Sequence, residues 1–206
     1  MEGKTTIEEA SLILGRNLIG PAELKKISPH LAVKTTFSVP DIPYSAEYLR
    51  NLGTDYLLIL GSPEFDDGRA LNIMALREKF GMDSTLSEPC FYNQDWYLNQ
   101  RFIFNQLPFE WFIIRKTVID STRAVDPGQL EKEHNFPSAI QCTYAFFVTW
   151  LCIGELLWEY DFVWCNDKDH NGDRIYVAKY RDIDGMNSNG FSIHRHLALR
   201  NCYGSV

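Results

Sequence analysis

The stretch YAFFVTWLCIGELLW, residues 144–158, leaves this chain few ways to fold. It carries Thr149 and Glu155 in an otherwise apolar and aromatic run. A helix that is apolar all round has to be covered all round. The run is shorter than the about 20 residues that cross a bilayer. It therefore reads as a buried core helix, extending over 137–160 with its flanks. Wrapping such a helix takes apolar material. The 206 residues are 45% hydrophobic and 14% aromatic, enough for a substantial core and incompatible with disorder.

The rest of the pattern gives an α+β fold in one domain. Residues 1–136 form a mixed α/β part, and residues 137–206 hold the long helix and a C-terminal antiparallel sheet. Near the start, Thr5 or Thr6 caps a helix with Glu8 or Glu9 three residues on. Pro21 opens a second helix, where its missing N–H costs nothing. Residues 32–39 are rich in β-branched side chains and read as a strand. A short helix ending at Gly53 follows, then the interior strand DYLLILG and an amphipathic helix over 70–81. CFYNQDWYLNQRFIF reads as helix, FEWFIIRKTVID as strand and residues 121–136 as a long polar loop. After the long helix, strands are expected at 162–166, 174–180 and 191–200, separated by Asn-Gly and Asp-Gly turns.

Charge narrows the partners. Twenty basic against 27 acidic residues leave −7, which argues against a general nucleic-acid or anionic-membrane binder. The distribution is uneven. From Arg174 to Arg200, the basic residues Arg174, Lys179, Arg181, Arg195 and Arg200 face only Asp182 and Asp184, so the C-terminal third is locally basic. The first residues are acidic where a secretory signal needs an apolar run, so no targeting segment is read. The five cysteines, without a C-x-x-C pair, suit reduced thiols in a cytoplasmic protein.

The densest set of potential metal ligands is NDKDHNGDRIYV. Asp167, Asp169 and Asn171 match the first, third and fifth positions of a calcium loop, and Gly172 the turn. The final position, a bidentate glutamate in such loops, is Ala178. The alternative reading is a hairpin, since Asn-Gly tolerates the positive φ of a type I′ turn. We adopt the hairpin, with no obligatory metal and Asp167, Asp169 and Asn171 as weak candidates only. Alternation then turns Ile175 and Val177 toward the long helix and leaves Arg174, Tyr176 and Tyr180 as the contact surface.

Other candidates are spread along the chain. His194 and His196 project to one strand face beside Arg195, a geometry that suits a metal or an exposed binding edge. Cys90, with His134 or His194, is a candidate nucleophile or simply a buried small hydrophobe. Asn93, Asp95 and Trp96 mix polar and aromatic groups as contact surfaces do, with Asp95 a candidate acid or base. No nucleotide-binding glycine loop or serine-hydrolase elbow is present, and no cofactor is implied.

The segments VWCNDKDHNGDRIYVAKY, DGMNSNGFSIHRHLALR and NCYGSV place a Trp beside a polar turn, then a Gly-x-Arg-aliphatic strand, then a strand ending in Arg. Residues 161–206 thereby resemble the C-type-lectin-like fold of formylglycine-generating-enzyme relatives and retroelement-diversified proteins. The lectin disulfides, the Glu-Pro-Asn motif and the paired active-site cysteines are absent, so the resemblance implies a fold and neither sugar binding nor that enzyme activity. The first 160 residues resemble uncharacterised bacterial proteins with the order IPYS, CFYNQDWY, IRK, which imply no activity.

Three functions follow in order. The first is a non-enzymatic binding module presenting its C-terminal sheet and loops to a protein or small molecule. The second is an enzyme with a cleft site involving Asp95, His194 or Cys90. The third is nucleic-acid contact through the basic C-terminal face. A flat aromatic patch favours the first; perturbed titratable groups converging on a pocket favour the second.

Overall fold

The computed structural model describes residues 4–35, 38–86, 88–179, 190–195 and 199–206. Local sequence signals set the first elements. Helix α1, Ile7–Leu14, starts at Thr6, whose hydroxyl accepts the Glu9 N–H at 3.1 Å. The short strand β1, Leu18–Ile19, leads to α2, Pro21–Lys26, where the Gly20 N–H donates to the Glu23 carboxylate at 3.1 Å. Ser45 caps α3, Ala46–Leu52; β2 is Tyr56–Leu60; Asn72 caps α4, Ile73–Phe80. Strand β3 is Trp111–Arg115, and the one-turn helix α5 is Pro127–Leu130.

Helix α6, Ala139–Ile153, is the centre of the molecule. Ser138 and Gln141 form a reciprocal capping box at its start. Every residue from Ala139 to Thr149 except Gln141 is buried, as an apolar helix requires. One sheet lies to one side of it. It has the order β1-β2-β3, parallel then antiparallel, and β2 in its middle is buried from Leu57 to Leu60. The Tyr144 hydroxyl donates to Leu60 O at 3.2 Å and fixes the helix against this sheet. The helix is shorter than expected. Gly154 takes the left-handed conformation (φ 71°, ψ 16°) and its N–H closes on Trp150 O, so the chain turns before 160. Leu157 and Trp158 fold back into the core, and the Trp158 indole donates to Arg115 O at 3.2 Å.

The second sheet packs on the other side of α6. It comprises β4 (Phe162–Lys168), β5 (Arg174–Ala178), β6 (Ser192–His194) and β7 (Tyr203–Gly204) in the order β6-β5-β4-β7. Three strands are antiparallel as expected, but β7 joins parallel to β4 and was not read from the sequence. Ile175 and Val177 do face α6, sharing one core with its side chains. Tyr176 does not form a contact surface. It is 5% exposed and belongs to a second cluster on the sheet's far face.

Two N-terminal expectations fail. Residues 32–39 form no strand where described, only a Val33–Phe65 bridge. Residues 92–100 form no helix; a short 3-10 turn, Arg101–Phe104, follows them. Their polar side chains bond to distant backbone instead of leaving it to coil, with Gln94 accepting the Ile193 N–H at 3.2 Å.

The β4–β5 hairpin has the expected tip with a different turn. Asn171 is not at positive φ; Gly172 alone is, at +88°. The Gly172 N–H donates to Asp169 O, and the Asp169 N–H to Asp173 O, so the loop is a wider turn that only one left-handed residue closes. The Gly172→Val chain should lose about 1–3 kcal/mol, since a β-branched residue is strained at that φ. Urea unfolding monitored by tryptophan fluorescence checks it.

Candidate functional site

Strand alternation builds the site. Phe162 and Trp164 on β4, Tyr176 and Ala178 on β5, Ser192 and His194 on β6 and Tyr203 on β7 all project from the sheet face that turns away from α6. Register places His194 opposite Tyr176, Tyr176 opposite Trp164, and Phe162 opposite Tyr203. The rings meet accordingly: His194 stacks on Tyr176 at 5.3 Å and 18°, and Phe162 on Tyr203 at 4.7 Å and 20°. Cross-strand aromatic pairs of this kind contribute roughly 0.2–1 kcal/mol each.

The expected long loop covers one end of this face. Val125, Leu130 and Phe136 pack on the rings. Two arginines hold that cover. Arg174 lies over the Phe136 ring at 4.9 Å, donates to Cys165 O at 3.1 Å and pairs with Glu131. Arg123 grips Asp161 with two contacts, 2.6 and 3.0 Å, and donates to Asn201 O at 2.9 Å, tying the loop to the C-terminal segment. Arg174, a candidate contact residue, is thus a structural clamp.

At the other end the described residues leave an opening. A cleft of about 370 Å³ lies there, with Phe162 and Tyr203 as its floor. Ser192 and His194 form one wall, and Tyr92, Arg200 and Cys202 the rim. The Ser192 hydroxyl is committed to Ala178 O at 3.0 Å. Burial pushes the Cys202 thiol up; burial and then a hydrogen bond with Tyr203 push the Tyr176 hydroxyl well up. A larger hollow, about 610 Å³, lies between α1 and α3 but is lined by no aromatic or histidine side chain.

The two remaining groups of candidates do meet, as a fastening. The Trp96 indole donates to Ile193 O at 2.9 Å, and Arg195 lies 4.8 Å over the Trp96 ring. Gln94 approaches the His194 ring at 3.5 Å. Asp95 pairs with Arg77 at 2.7 Å, and Asn93 is exposed beside it. Cys90 is 2% exposed, and burial raises its thiol, which removes the thiolate a nucleophile needs. Tyr180 and His196 lie outside the described residues.

The half-loop's carboxylates are occupied by the fold. Asp167 accepts the Ala139 N–H at 2.6 Å and the Asn105 amide at 3.2 Å, so it tethers the start of α6 to β4; burial still pushes its carboxyl up. Asp169 accepts the Asn171 and Asp173 N–H groups at 2.8 and 2.9 Å and pairs with Arg195 at 3.2 Å. Asn171 is exposed. Among the described residues no three His, Cys, Asp or Glu side chains gather as metal ligands.

Phe162 was recoverable from alternation along β4. Ser192 shares the alternation of His194, whereas Tyr92, Cys202 and Tyr203 were not recoverable, because a two-residue strand and loops bring them in. Comparison with protein-family models, curated proteins and solved structures gives no match.

Removing the Asp169 carboxylate strands two N–H groups and Arg195, so Asp169→Ala should cost about 2–4 kcal/mol at pH 7. Burial alone raises this carboxyl, but the hydrogen bonds from Asp173 and Asn171 and the Arg195 contact outweigh it and hold it below the usual range. Its contribution is complete above the unfolded value of about 4 and is lost as pH falls through the lower folded value. The stability gap between the native chain and Asp169→Ala should therefore narrow as urea titrations move below about pH 4. EDTA should leave Tm unchanged in a thermal melt, with no further change on adding calcium.

Proposed function

We propose that the chain is a non-enzymatic binding module whose C-terminal sheet receives a small ligand in the open cleft. The observation that carries the reading is the ring floor of Phe162 and Tyr203 beneath a rim holding Arg200. Aromatic and arginine side chains at one concave place are what binding sites concentrate. The feature expected of such a module was a flat patch, and the concavity points to a small molecule rather than a broad protein surface.

The enzyme alternative has less support. The Cys202 thiol lines the cleft and the Tyr176 ring packs on Phe162 and Tyr203, but both groups are shifted upward, away from reactivity near neutral pH. Asp95 is engaged with Arg77, and Cys90 is buried. The nucleic-acid alternative has against it the −7 formal charge and the pairing of Arg123, Arg174 and Arg195 with carboxylates. The C-type-lectin-like reading of residues 161–206 belongs to the same proposal, supported by the antiparallel β4–β5 hairpin with Trp164 opposite Tyr176. No described helix is long and apolar enough to cross a membrane. A cytoplasmic setting is supported by the free cysteines, of which the Cys165 thiol donates to the Cys142 sulfur at 3.9 Å.

A neutral ring-bearing probe such as benzamide should shift the NMR signals of Phe162, His194 and Tyr203 together. Cys202→Phe, which places a ring in the cleft, should weaken that binding by about tenfold or more. Shifts scattered over the surface, or an unaffected Cys202→Phe chain, count against the cleft.

A further inference from the structure

The charges around the cleft say more about its occupant, on the premise that the cleft is the binding site. We infer that the site selects a small planar ring bearing an anionic oxygen group, a carboxylate or a phosphate monoester. No carboxylate lines the cleft among the described residues. The acidic group nearest in the chain to its floor, Asp161, is held at both oxygens by Arg123. Arg123 also binds Asp120 at 2.9 Å, so its own charge is satisfied by two carboxylates. Arg200 differs. It stands exposed on the rim, makes no ion pair among the described residues, and is close enough to act electrostatically on the Tyr176 hydroxyl.

A guanidinium offers parallel N–H donors that match two oxygens of a carboxylate or phosphate. Around it the described residues add a few single polar groups, the Tyr92 and Tyr203 hydroxyls and the His194 ring. The Ser192 hydroxyl already donates to Ala178 O, and the Phe162 ring is apolar. Aromatic rings beneath a guanidinium favour one flat apolar body with one charged end. The volume, about 370 Å³, sits at the low end of small-molecule pockets and suits a ligand of modest size.

The test compares benzoate, phenyl phosphate, benzamide and benzylamine by NMR titration at low salt, on the full chain and on Arg200→Gln. Arg200 is exposed, so the substitution should leave Tm in place. One of the two anions should bind at least about tenfold more tightly than benzamide, and benzylamine most weakly. The tighter anion names the headgroup. In Arg200→Gln the anion preference should collapse while benzamide binding is kept. Cyclohexanecarboxylate should bind more weakly than benzoate, since it lacks the flat ring. Benzamide bound as tightly as both anions overturns this inference and leaves the cleft reading standing. An anion preference that survives Arg200→Gln overturns it likewise. Binding of none of the probes overturns both.

Discussion

A helix without a polar face is the constraint on which the rest of this structure depends. From Ala139 to Thr149 only Gln141 escapes burial, so α6 needs cover in every direction. Two sheets provide it, one joined through the Tyr144 hydroxyl to Leu60 and the other through Val163, Ile175 and Val177. Between them a run of phenylalanines closes the core. Phe147 stacks on Phe80 of α4 at 4.0 Å and on Phe91 at 4.9 Å, while Phe146 meets Phe191 at 4.8 Å. Burying each such ring contributes about 1.5–3 kcal/mol, so this junction outweighs any surface ion pair.

The second sheet is apolar on both faces, and that is less usual for a largely antiparallel sheet. One face meets α6. The other would expose Phe162, Trp164 and Tyr176 to water, and the segment carrying Leu130 and Phe136 prevents it over part of their area. Its attachment is electrostatic as much as apolar, through the clamps at Arg123 and Arg174. Lys179 shows the same economy at the far edge of β5. It is 1% exposed and meets Glu88 at 3.0 Å, a pairing whose loss would leave a buried charge alone.

Much of the fold was legible because its signals were local. Thr6 caps its helix, Gly53 and Gly81 end two others, and the apolar run at Leu57–Leu60 is the central strand. The errors came where a distant partner decides. Residues 92–100 have helix-like spacing, yet Gln94 and Trp96 are claimed by Ile193, about a hundred positions on. Tyr176 alternates with Ile175 and so looked exposed, but the residues that cover it arrive from a loop no periodicity describes. Asp167 and Asp169 stood as weak ligand candidates beside the adopted hairpin, because spacing shows side-chain chemistry but not orientation. One serves a helix terminus and the other its own turn.

The rings that floor the cleft are also members of the second core. Phe162, Tyr176 and Tyr203 pack on one another and on Trp164, each less than a tenth exposed. Such a surface cannot be remodelled by swinging a side chain, because moving one ring empties the space its neighbours fill. The cleft is therefore preorganised: its shape exists before anything enters, and association freezes few rotamers on the protein's side. As the proposed binding site, such a cleft would select by shape and tolerate little variation. It is also thermodynamically joined to the fold, since an occupant that holds Phe162 and Tyr203 together stabilises the C-terminal sheet itself.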